Sequence, residues 1–161
     1  AGPARDVADW AIENLRHESG AFVDGPSGED GLLDKPLYPL DTTVELADAL
    51  LDLALLTGED RYEEVAHDAI AAYGNAADRM GVEVAHYAAT AARLRAPEVI
   101  EVGTAAGSDL HRAALRLADH DTVVVPDAEG IADAARHRAD GDVTGAADSP
   151  AALEALLTGD S

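Results

Sequence analysis

Pro97-Glu98-Val99-Ile100-Glu101-Val102-Gly103-Thr104-Ala105-Ala106-Gly107 is the stretch where this chain changes character. Val99 to Val102 is a short β-branched run closed by glycine, which reads as a strand entering a tight turn. Leu110 to Ala118 follows as a helix, with Leu110, Ala113, Ala114 and Leu117 on one face. Thr122 to Val125 reads as a second strand, so Pro97 to Pro126 has the size of a βαβ crossover. Further on, Ile131 to Arg138 reads as another short helix and Asp142-Val143-Thr144 as a third short strand. Ser149 and Pro150 open a last helix whose Leu153, Leu156 and Leu157 face inward. Residues 97–161 are therefore expected to form a small α/β cap.

Upstream of Pro97 the periodicity is helical. A first helix is expected from Ala4 to about His17, with Val7, Ala8, Ala11, Ile12 and Leu15 on one face and Ser19-Gly20 as its stop. From Ala21 to Leu40 the chain is irregular and rich in Gly, Pro and Asp, with room for short strands at Ala21–Val23 and Leu32-Leu33. Loops of this kind on helical scaffolds often carry sites. Thr42 and Glu45 make a capping-box pattern ahead of a strongly apolar helix, whose one polar stripe is Glu45, Asp48 and Asp52. Thr57-Gly58 stops that helix and Asp60 is placed to cap the next. The next helix spaces Tyr62, Val65, Ala66, Ala69, Ile70 and Tyr73 for burial, and an alanine-rich helix runs from Val82 to Arg95. Short turns make these helices antiparallel neighbours. The expected fold is mainly α: antiparallel α-hairpins over residues 1–96, followed by the α/β layer with two or three short strands.

Charge bounds the setting. Asp and Glu number 32 against 11 basic residues, a formal net charge of -21. Lys35 is the only lysine; the other ten basic residues are arginines. The acids are dispersed among apolar residues at helical spacing, which argues against an acidic disordered tail. A docking face for a basic partner would cluster them. Adaptation to molar salt fits best: dispersed carboxylates stay hydrated, and a Debye length of ~3 Å or less removes most of their repulsion. A cytoplasmic, high-salt setting is the expectation. The same balance leaves no basic stripe for phosphates and no aromatic platform for bases, so no nucleic acid is expected. Cysteine is absent, which removes disulfides and thiolate chemistry. No apolar run reaches ~18 residues, so no membrane span is expected. The chain opens at Ala1, close to a helix, and reads as a piece of a longer protein.

Candidate sites are few. Glu101 to Gly107 lies between a strand and a helix and resembles the first motif of S-adenosylmethionine-dependent methyltransferases, with Asp127 past the next strand in the place of the ribose-binding acid. Ala105 stands where the usual pattern has its central glycine, and 54 residues after Gly107 leave no room for the remaining strands. The plainer reading is an ordinary βα turn. Of six histidines none pairs with another at i, i+4, so surface histidine is the default and neither metal nor cofactor is expected. Acids are too numerous for any pair to stand out. Trp10, Phe22, Tyr38 and Tyr87 suit either a carbohydrate platform or core anchors.

Four segments, in order, resemble the carboxy-terminal third of the thioredoxin-domain proteins related to the spermatogenesis-associated proteins, the YyaL-like group. They are Ser19-Gly20-Ala21-Phe22-Val23-Asp24; Lys35-Pro36-Leu37-Tyr38 with the helix ending Leu55-Leu56-Thr57-Gly58; Val99 to Gly103; and Asp148-Ser149-Pro150 with Leu153, Leu156 and Leu157. The resemblance implies an amino-terminal thioredoxin-like domain and an (α/α) toroid, six-hairpin-like and similar to N-acylglucosamine and cellobiose 2-epimerases. This chain would hold only the last hairpins and the cap. The family's polar stretch after the loop is replaced here by Leu40-Asp41-Thr42-Thr43-Val44-Glu45, and its late cysteines by Thr144 to Asp148. The expected role is structural or site-completing rather than catalytic alone, with the remainder of its own chain as partner. The alternative is part of a sugar epimerase or isomerase, in which Phe22, Asp24, Tyr38 and Asp41 reach the toroid mouth and meet a carbohydrate.

Overall fold

A computed structural model describes residues 2–26, 36–75 and 84–159. The chain divides into two compact units, Ala1–Leu94 and Arg95–Ser161.

In the first unit, α1 spans Gly2–Leu15, α2 Leu40–Thr57, α3 Asp60–Ala71 and α4 Ala85–Arg95. Gly58 ends α2 in the left-handed conformation (φ 69°) and returns its N–H to the Ala54 carbonyl, so α3 starts after a very short turn. The α2–α3 pair is antiparallel: the Tyr73 hydroxyl, just past α3, donates to the Tyr38 carbonyl just before α2 at 2.8 Å. Val44, Ala47, Leu51, Tyr62, Ala66 and Ala69 are buried in the shared core. The α2 helix begins two residues before the expected capping box. Pro39 is its N-cap residue, no side chain caps it, and Thr43 is instead fully buried. The Thr43 hydroxyl accepts from the Phe22 N–H at 3.1 Å and donates to the Phe22 carbonyl at 3.4 Å, tying the incoming loop to the helix. Asp60 likewise lies inside the first turn of α3 and does not cap it; Glu59 is the N-cap residue. Arg93 of α4 reaches Asp48 and, at 2.7 Å, Asp52 on the polar stripe of α2. Leu32-Leu33 and the start of the expected Val82 helix lie outside the described residues.

The second unit holds β1 (Glu98–Val102), α5 (Asp109–Leu117), β2 (Thr122–Pro126), β3 (Ala135–Ala139), β4 (Asp142–Ala147) and α6 (Pro150–Thr158). Its strands form one mixed sheet in the order β2-β1-β3-β4. The β1–β2 pair is parallel, with α5 as the crossover; β3 pairs antiparallel with both β1 and β4. Ile100, Val102, Val124, Ala135 and Ala147 pack with Leu110 and Ala114 of α5 and Leu153 of α6. Ser108 caps α5 by accepting from the His111 N–H at 3.1 Å, and Ser149 caps α6 with Pro150 at its start.

The expectation of a mainly α chain, α-hairpins of a toroid with a minor cap, is corrected by this sheet. Six helices and a four-stranded mixed sheet among the described residues make it an α/β fold. The difference centres on Ile131 to Arg138, expected as a helix, where Ala135–Ala139 is a strand. Its alanines match a helical period over too few residues to be decisive. Asp133 (φ 49°) and Gly130 (φ 75°) sit in left-handed conformations that break any helix there. Asp140 (φ 53°) and Gly141 (φ 83°) then form a two-residue hairpin turn of the type that right-twisted strands favour.

Candidate functional site

Strand alternation decides what the second unit presents. Glu98, Ile100 and Val102 share the helix-covered face of β1, and the register sets Ile100 beside His137 and Glu98 beside Thr122. On β4 the register slips between His137 and Arg138: His137 pairs with Gly145 and Arg138 with Val143. Thr144 is the extra residue of this bulge, and its hydroxyl turns toward the imidazole. Three strands thereby contribute one polar chain. His137 Nδ1 lies 2.6 Å from Thr144 Oγ1, and His137 Nε2 lies 2.7 Å from Glu98 Oε1. The His137 side chain is 13% exposed and that of Glu98 41%.

These groups form one end of a cleft of about 370 Å³. Leu117 and Ala118 at the end of α5, and Leu156 and Leu157 of α6, make its apolar wall. Gly145 lets α6 come this close, because a Cβ there would lie 2.3 Å from Leu156 Cδ1. Asp119 and Thr122 complete the lining. Asp119 Oδ1 accepts from the Thr122 hydroxyl at 2.7 Å and from the amides of Asp121 and Thr122 at 3.0 Å each. The Thr122 hydroxyl bond, helped by those amides, holds the Asp119 carboxyl below its ordinary value, so it stays ionised. Among the described residues no group of three or more His, Asp or Glu is arranged to hold a metal ion.

The turn after β1 is explained without a cofactor. A Cβ on Gly103 would lie 1.8 Å from the Ile131 carbonyl oxygen, so the backbone of residue 131 occupies the space that the glycine leaves open. The Gly103 N–H donates to the Ala134 carbonyl at 2.8 Å, closing the same contact. Asp127, just past β2, accepts from the Ala106 N–H at 3.4 Å, so this bond ties the turn after β1 to the end of the neighbouring strand.

The four loop residues singled out in the first unit differ in exposure. Phe22 is fully buried in the helical core and anchors the loop. Asp24 and Asp41 are exposed, and the Tyr38 ring meets the His17 ring edge-on at 5.1 Å between centroids. Sequence alone leaves His137 among the surface histidines, because Glu98 lies 39 residues away along the chain and Thr144 reaches the ring only through the bulge in β4. The one local signal is Asp140-Gly141, a strong hairpin dipeptide that sets β3 against β4.

No helix among the described residues is long and apolar enough to cross a membrane. No protein-family model, no curated protein and no solved structure matches this chain.

Proposed function

We propose that this chain is the carboxy-terminal segment of a larger thioredoxin-domain protein of the YyaL-like kind, serving in a high-salt cytosol as a structural and site-completing element. The observation that carries this reading is an apolar groove of about 410 Å³ between α1 and α2. Val7, Ala11, Leu46, Leu50 and Leu53 line it, and among the described residues Asp52 is the one charged residue on its walls. Val7 and Leu56 at its margin are 68% and 48% exposed. An open apolar groove between two helices is suited to a further helix. The remainder of the same polypeptide is the occupant proposed.

Hydrogen exchange in molar KCl tests this, on this chain alone and on the full-length gene product. Amides of α1 and of Leu46 to Leu53 are expected to exchange at least about tenfold more slowly in the longer protein, as docking removes local opening. Equal exchange in the two proteins would overturn the reading.

A further inference from the structure

The cleft of the second unit has a property that its residue types alone do not reveal: every side-chain hydrogen facing it is already committed. The Thr144 hydroxyl hydrogen goes either to His137 Nδ1 or to the His137 carbonyl oxygen, 3.3 Å away, and both partners are internal. The two ring nitrogens of His137 are both engaged, one by Thr144 and one by Glu98. The Thr122 hydroxyl donates to Asp119. What remains unclaimed are acceptors. Glu98 Oε2 and Asp119 Oδ2 have no hydrogen-bond partner among the described residues, and lone pairs remain on the two threonine oxygens. Among the described residues no Lys or Arg lines the cleft, and its other wall is Leu117, Leu156 and Leu157.

We infer that this cleft binds a small organic ammonium, with its head on Glu98 and Asp119 and its apolar tail along the three leucines. A carboxylate or phosphate ligand would bring acceptors to acceptors and meet repulsion. A neutral apolar ligand would bury the Glu98 oxygen without a partner, which is unfavourable. A primary ammonium supplies three donors on a compact charge, and an alkyl chain of a few carbons fits the volume. The cleft is lined wholly by residues of the second unit, so the test of its occupancy is separate from the test of the α1–α2 groove.

The probe is n-butylammonium chloride, titrated into the chain in molar KCl, with sodium butyrate as the control of opposite charge. The His137 ring and the methyl groups of Leu117, Leu156 and Leu157 are followed by NMR. Saturable shifts at these positions are expected with n-butylammonium and none with butyrate. Glu98→Gln and Asp119→Asn are each expected to weaken binding about tenfold, while resonances of Val102 and Leu153, buried in the same core but outside the cleft lining, report an intact fold. Asp119→Asn keeps a carbonyl for Thr122, so it remains informative should Glu98→Gln disturb His137. Absence of n-butylammonium shifts in these residues, equal binding of butyrate, or undiminished affinity in Asp119→Asn would overturn the inference.

Discussion

Gly103 and Gly107 flank the same turn, yet the structure gives them different jobs. Gly107 has φ 83° with open space around its Cβ position, so its requirement is conformational. Gly103 has no positive φ, and its requirement is steric: the Ile131 carbonyl occupies the place of a side chain. Gly103→Ala is therefore expected to destabilise the protein by about 3 kcal/mol, since the segment at residue 131 must move off the sheet. Gly107→Ala is expected to cost about 1 kcal/mol. Chemical denaturation of the two variants in molar KCl checks the order; equal losses would mean that Ile131 is not the obstacle. That a glycine is needed after β1 is legible in the sequence. Why it is needed is not, because its obstacle lies 28 residues away, brought there by the β1–β3 pairing.

Between elements of the first unit, charge does what the small apolar contact area of α1 leaves undone. Arg61 at the start of α3 pairs with Asp9 of α1 at 2.9 Å and with Glu59 at 3.0 Å, and Arg5 also holds Glu59 at 2.5 Å. The buried Tyr62 ring lies under the Arg61 guanidinium at 4.2 Å, and its hydroxyl donates to Asp9 at 3.0 Å. The Arg61 hydrogen bond holds the Asp9 carboxyl below its ordinary 3.8, and the same guanidinium holds Glu59 below 4.5. Depressed folded-state values mean that the stabilisation is present above the ordinary values. It is lost as pH falls below about 4 and protonates the folded carboxylates. Asp9→Asn is expected to flatten the acid limb of the stability curve in that window while leaving the neutral-pH fold intact. Stability measured against pH by denaturant titration checks it; an unchanged acid limb would exclude the network as its source. The helix stop at Gly58 and the caps at Ser108 and Ser149 can be read locally, because each is satisfied within a few residues. The start of α2 cannot. The buried bond between Thr43 and the Phe22 backbone outweighs the capping role its neighbour Thr42 offers.

Across the whole molecule the net charge of -21 exceeds anything that neighbouring ion pairs can settle. Eleven basic residues cannot neutralise 32 acids, so in dilute buffer the folded state carries uncompensated repulsion that molar salt screens. The melting temperature is expected to rise steeply with KCl from the millimolar to the molar range, with loss of helical circular dichroism at the low end. A salt-independent melting temperature would remove the salt-adaptation reading. Composition, the long helices of the first unit, the parallel βαβ crossover, the Gly58 stop and the Ser149 cap were determined by the sequence itself, because each depends on residues a few positions apart or on a sum over the chain. The tertiary structure alone decided that Ala135–Ala139 is a strand and that His137, Glu98 and Thr144 meet over the apolar wall of α5 and α6. Those contacts join residues up to 39 positions apart, and only sheet register and one bulge, set by packing, bring them within hydrogen-bond reach.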